Sequence, residues 1–275
     1  MPAEWIQDQF ESFDGKNIFF RFLPDPGARH TLIILHGYGE HSGRYEKFSK
    51  RLAGTAVQIA VMDLRGMGLS AGNPGPFQNF FSDISVFVAH LQEKYKVPQK
   101  FILMGHSFGG LLAAHWALKN QGCIKRLILS SPFLGFRGEG FIGAFNRLIL
   151  WVLPKFVYKN PVCPKALTHD LQETVVYRQD PLIIRRISAQ LVDGTLRQME
   201  LLRKQAALSY IFPVYVLLAG DERIVDAKAT RLFFDRLVTP RKEWSRFEGF
   251  YHEIFNESDS SKAFNVLKTI IEDCV

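Results

Sequence analysis

The chain has 275 residues, 47% hydrophobic and 22% charged, a balance that fits one large domain or two small ones and excludes a disordered polymer. Its formal net charge of +7 would suit an acidic partner, but no Lys/Arg-rich run occurs, so the charge is diffuse and nucleic acid is excluded as a partner. Three cysteines, Cys123, Cys163 and Cys274, lie far apart with no C-x-x-C pair, which excludes a disulfide framework and a zinc knuckle and leaves them as buried or idle thiols.

The first ten residues carry two acids and no apolar core, so they do not read as a signal peptide, and no stretch approaches the ~20 apolar residues of a membrane span. The expectation is a cytoplasmic protein, soluble or peripheral at membranes. In chain order, two strand-like runs flank Asp14-Gly15, a hairpin signal. The run TLIILHG (31–37) is continuously apolar and ends in a turn, as a strand buried on both faces does. A helix (45–53) with Phe48 and Leu52 four apart follows, then a strand (57–63), a helix (80–95), a strand (100–105), a helix (111–120) and a strand (124–131). Near the end, strands at 213–220 and 243–249 alternate with helices at 229–237 and 260–274. Strands alternating with helices predict an α/β fold, a mostly parallel central sheet with helices on both faces and its ligand at the carboxyl ends of the strands.

Residues 133–205 interrupt this alternation and hold no convincing buried strand. Phe141, Phe145, Leu148 and Val152 share one helical face, and Ile142, Ile149 and Leu153 form a second apolar stripe. A helix apolar on two sides is either deep in the core or part of a cap with one face toward substrate and the other toward lipid. The segment's place between two sheet strands favours the cap. The domain division is then a core of 1–132 and 206–275 with a helical cap (lid) inserted at 133–205.

Between the strand 100–105 and the helix 111–120 stands Gly105-His106-Ser107-Phe108-Gly109, a G-x-S-x-G pattern. In a strand-to-helix turn this pattern raises the serine hydroxyl above the sheet, at the N-terminus of the next helix. Serine needs a base, and in this arrangement acid and histidine follow it in the chain. His115 lies on the helix just after the serine and His169 in the interruption, so His252, in a loop after a strand and a glycine, is the candidate base. The acid belongs in the loop after 213–220, where Asp221, Glu222 and Asp226 all stand, and spacing does not separate them. Oxyanion donors are expected from the backbone N–H groups of Tyr38 and Phe108.

Four motifs, LHGYGEHSGRY (35–45), DLRGMGLSAG (63–72), GHSFGG (105–110) and FEGFYHEIFNE (247–257), in this order resemble the monoglyceride lipase and lysophospholipase branch of the α/β-hydrolase fold. DPLIIRRISAQ (180–190) is similar to a cap segment of the same enzymes. The resemblance implies a serine hydrolase, with Ser107 as nucleophile and His252 as base, that cleaves the acyl ester of monoacylglycerol to glycerol and fatty acid. A lysophospholipase, a general carboxylesterase and a non-catalytic lipid-binding relative are the alternatives. Counted from the strand's proline, the family's aspartate falls on Glu222. Glu40 and Arg44 are implied near the glycerol end of the substrate, with a loop-shaping ion pair as the other reading. No metal or organic cofactor is required. The partners implied are monoacylglycerol or lysophospholipid, and a membrane surface met through the cap.

Overall fold

A computed structural model describes residues 4–70, 72–205 and 207–273; Cys274, and Ala71 within the second motif, lie outside them. Among the described residues the strands are β1 (Ile6–Glu11), β2 (Asn17–Leu23), β3 (His30–Leu35), β4 (Val57–Met62), β5 (Phe101–His106), β6 (Ile124–Ser130), β7 (Val157–Lys159), β8 (Arg186–Ser188), β9 (Leu208–Ser209), β10 (Val214–Ala219), β11 (Leu237–Val238) and β12 (Lys242–Phe247). The α-helices are α1 (Tyr45–Arg51), α2 (Gln78–Lys94), α3 (Phe108–Lys119), α4 (Glu139–Val152), α5 (Leu171–Gln179), α6 (Ala189–Lys204), α7 (Ala227–Asp235) and α8 (Ser261–Glu272).

Eight strands form one sheet in the order β1-β2-β4-β3-β5-β6-β10-β12. The β1–β2 hairpin turns at Gly15, φ 77°, and β2 also runs antiparallel to β4; every later pairing is parallel. The apolar runs are apolar because both faces of the sheet are covered. On one face Ile33, Leu35, Leu103, Leu127 and Val216 meet residues of α2 and α3. On the other, Leu32, Ile34, Met104, Ile128 and Leu217 meet α1 and α8 through Phe48, Phe264 and Leu267.

From β3 the chain steps to β4 on one side, then crosses to β5 on the other. Such a reversal opens a crevice at the carboxyl ends of β3 and β5, where open α/β sheets bind ligands. Tyr38 follows β3 and Ser107 follows β5, so the sheet order alone brings them to one crevice.

The segment between β6 and β10 adds no strand to this sheet; β7 and β8 pair with each other instead. Of α4 only Gly143 and Asn146 are buried, and Asn146 Nδ2 donates to Ala189 O at 3.0 Å where α6 begins. Phe141 (79% exposed), Leu148 and Trp151 (83%) face outward, so α4 is not a core helix. Both α5 and α6 have side-chain N-caps, Asp170 and Ser188, which satisfy N–H groups that a helix start leaves free. No helix among the described residues is long and apolar enough to cross a membrane.

Candidate active site

Ser107 joins β5 to α3 with φ 51° and ψ −115°, a conformation that costs a non-glycine residue of order 1–3 kcal/mol. The surrounding packing holds it there. Its N–H donates to Ser130 O at 2.9 Å, and its own carbonyl accepts from Gly110 and Phe133, both at 2.9 Å. Glycine is required beside it because the first turn of α3 lies directly on the strand ends. A Cβ on Gly109 would press into the Leu35 carbonyl, and one on Gly105 into the Gly109 carbonyl.

The carboxylate of Glu222, three residues past β10, meets His252 Nδ1 at 2.9 Å (Oε2) and 3.0 Å (Oε1). Both side chains are almost wholly buried. Oε1 also accepts the N–H groups of Ile224 (2.8 Å) and Val225 (3.2 Å), which fixes the carboxylate plane. Burial alone would push the Glu222 pKa up; the His252 charge and these N–H donors outweigh it and hold it below the usual carboxylate range. For His252, burial lowers the pKa and Glu222 reverses this, so the imidazolium is favoured overall. With Nδ1 committed to Glu222, Nε2 is left for the cavity that Ser107 and His252 both line. Of the other acids left open by spacing, Asp221 is exposed and Asp226 caps α7 through Lys228 N at 2.9 Å. Neither reaches the histidine. His115 is engaged with Gln198 O at 2.9 Å and His169 with Glu257 at 2.9 Å.

The cavity holds about 410 Å³, within the usual range for a ligand site. Ser107, His252, Tyr38 and Phe108 all line it, and Phe133, Phe136, Ile142, Val192 and Leu196 supply apolar wall. Phe108 opens α3, where helix geometry leaves N–H groups without intrahelical acceptors. The N–H of Tyr38 meets no acceptor among the described residues, while its neighbours Gly37 and Gly39 donate to Glu40 Oε1 (3.1 Å) and Met67 Sδ (3.3 Å). The Tyr38 ring packs edge-on against Phe108 and its hydroxyl donates to Arg186 O at 2.7 Å, tying this loop to β8. His41 and Asp180 meet at 2.7 Å, which brings the first motif and the 180–190 segment together.

Glu40 lines the cavity, but Arg44, expected beside it at the glycerol end, does not. Its buried guanidinium is taken by Glu253 and Glu40, the loop-shaping alternative. Sequence reading missed Glu253 altogether, although it directly follows His252; its partner lies 209 residues away, beyond any local pattern. Arg137 and Arg223 were also missed on the cavity wall.

The model of the family described as serine aminopeptidase, S33 (Hydrolase_4) matches residues 26–259. An uncharacterized abhydrolase domain-containing protein of Dictyostelium discoideum is 31% identical over 82% of this chain, which spans only 24% of that protein's length. Human monoglyceride lipase is 29% identical over 89% of this chain and 82% of its own. The crystal structure of the Paleococcus ferrophilus monoacylglycerol lipase superposes with a TM-score of 0.83 at 27% identity, covering 93% of this chain and 98% of that one. The chain thus has the α/β-hydrolase fold and belongs to the serine aminopeptidase S33 family, on its monoglyceride lipase branch.

Proposed function

We propose that this chain hydrolyses the acyl ester of a monoacylglycerol, releasing glycerol and a free fatty acid. The observation that carries the reading is the buried Glu222–His252 pair opening, with Ser107, onto a cavity of largely apolar wall. The acyl chain lies along Phe133, Phe136, Ile142 and Leu196. His252 Nε2 takes the Ser107 proton as the hydroxyl attacks the ester carbonyl, and Glu222 stabilises the imidazolium. The N–H groups of Tyr38 and Phe108 hold the oxyanion, each donor being worth about 2.7–4 kcal/mol. His252 then protonates the leaving glycerol, and water repeats the sequence to free the acid.

Residues 133–205 act as the cap over this cavity. Its outer face carries Phe141, Leu148, Trp151 and Val152 in the open, and no Asp or Glu occurs in residues 140–169. That combination suits contact with a membrane surface from which a single-chain lipid is drawn.

A lysophospholipase reading draws on Arg137 and Arg223, which line the cavity without a carboxylate partner among the described residues and would suit a phosphate. Hydrolysis of 1-oleoylglycerol and 1-oleoyl-lysophosphatidylcholine, measured side by side with Ser107→Ala as blank, decides between them. At least a tenfold preference for the glyceride supports the proposal. Equal or faster turnover of the phospholipid replaces it with the second reading, and no Ser107-dependent turnover of either rejects both.

A further inference from the structure

Arg44 precedes α1, and its side chain is 7% exposed. Nη1 and Nη2 each meet one oxygen of Glu253 at 2.7 Å, a bidentate pair, and Nη1 lies 2.9 Å from Glu40 Oε2. The other Glu40 oxygen accepts the Gly37 N–H, next to Tyr38, and sits 3.8 Å from His106 Nε2, next to Ser107. Glu253 also accepts from Asn256 Nδ2 at 2.7 Å, and its N–H donates to Leu167 O at 2.8 Å. The Tyr177 ring of α5 stacks 5.0 Å from the guanidinium. One arginine thus joins the loop after β3, the loop after β12 and the segment that covers them.

Glu40, His106 and Glu253 present three ligand atoms within 4.8 Å of one another, as a metal site would. The cation between the two carboxylates is already the Arg44 guanidinium. Two carboxylates and one guanidinium leave one net negative charge in a buried position. Arrangements of this kind add little stability, because desolvation offsets most of the Coulomb attraction. Their placement is the informative part. The groups around His252 are Glu222 on Nδ1, then Glu253 and Glu40, with the Arg44 cation between the last two. His106 packs 4.9 Å ring to ring and is held neutral by burial, and Arg223 stacks 3.7 Å from the ring of Tyr251 on the same loop.

We propose that Glu253 is a positioning residue of this hydrolase: through Arg44 and Glu40 it fixes the loop of Tyr38 against the loop of His252, and it keeps one net negative charge beside the imidazolium formed in the reaction. This rests on the reading of Ser107 and His252 as nucleophile and base. It differs from a glycerol-binding role for Glu40 and Arg44, because it acts on the rate of the chemical step rather than on substrate affinity.

Glu253→Gln keeps the side-chain shape and a hydrogen bond to Arg44 while removing the net charge. With a short, soluble ester the expected result is about a tenfold lower kcat at nearly unchanged KM, and an acid limb of kcat/KM that moves to lower pH. Glu253→Asp restores the charge and should return the limb toward the wild-type position. Arg44→Lys keeps the charge but loses the bidentate geometry, and should lower kcat with the limb unmoved. Thermal unfolding identifies any variant that fails to fold; if Glu253→Gln does, Glu40→Gln removes the same net charge and is read the same way. A folded Glu253→Gln with wild-type kcat and an unmoved limb, beside an inactive Ser107→Ala, overturns the positioning role alone. Activity retained in Ser107→Ala overturns the nucleophile assignment and this proposal with it.

Discussion

Replacing Glu222 by glutamine isolates one function of the site, because the shape stays and the charge goes. Oε1 of Glu222 accepts two backbone N–H groups, from Ile224 at 2.8 Å and Val225 at 3.2 Å. A glutamine therefore turns its carbonyl oxygen to those donors and its NH2 group toward His252 Nδ1. A donor facing Nδ1 makes that nitrogen an acceptor and moves the imidazole proton to Nε2, the tautomer that cannot take the proton of Ser107. The equivalent change in a Ser-His-Asp triad lowers kcat about 10⁴-fold, roughly 5 kcal/mol of transition-state stabilisation. Asp221→Asn is the control, since Asp221 is exposed and contributes its backbone N–H to Phe250 O at 2.9 Å rather than its carboxylate to the histidine. Steady-state hydrolysis of a soluble p-nitrophenyl ester should show Glu222→Gln reduced at least about 10³-fold and Asp221→Asn within about twofold of wild type. A folded Glu222→Gln within tenfold of wild type, or a larger loss in Asp221→Asn, would mean that Glu222 does not set the His252 tautomer.

The His252 pKa lies above its ordinary 6.5 because Glu222 outweighs burial, so kcat/KM should rise with pH through a midpoint above that value; a midpoint below it contradicts the charge balance described. The same shift means His252 contributes stability that is fully present below its unfolded pKa and is lost as pH rises through the folded one. The depressed Glu222 and Glu253 contribute stability above their unfolded values that is lost as pH falls, so denaturant midpoints should drop on acidification below about 4.5, less so in Glu253→Gln. Asp83, fully buried against Arg65 at 2.5 Å, should cost about 3–5 kcal/mol of unfolding free energy as Asn, read by urea denaturation. Trp151→Ser with Phe141→Ser should weaken sedimentation with anionic vesicles while leaving soluble-ester hydrolysis within twofold; equal vesicle binding would detach the outer face of α4 from any membrane role.

The sheet was readable because β3, β5 and β10 are buried on both faces and leave uninterrupted apolar runs, and the hairpin because Asp14-Gly15 provides the positive φ that its turn needs. Ser107 and His252 were readable because strand, turn glycine and helix each leave local marks. The helix α6 also left one, an N-cap at Ser188 and buried Leu191, Thr195, Met199 and Leu202 at helical spacing, but it starts within a run quoted for its family resemblance. The 9-residue α5 has no clean apolar stripe and shows itself chiefly through Asp170 and Glu173 at its start. Spacing alone left Asp221, Glu222 and Asp226 open and the family count pointed to Glu222; what only the loop conformation shows is how the Ile224 and Val225 N–H groups hold its carboxylate against His252. The Arg44–Glu253 pair was illegible for another reason: an ion pair between distant loops carries no periodicity, so only the fold reveals that Arg44, already read beside Glu40, serves a second carboxylate.

The proposed mechanism stands on Ser107 as its nucleophile. That role can be read by labelling the folded protein with a serine-directed fluorophosphonate at neutral pH, followed by peptide mass mapping. One adduct is expected, on the peptide containing Ser107, formed far more slowly in Glu222→Gln and not at all in Ser107→Ala. Stoichiometric labelling at another residue, or undiminished labelling of Ser107→Ala, would contradict it.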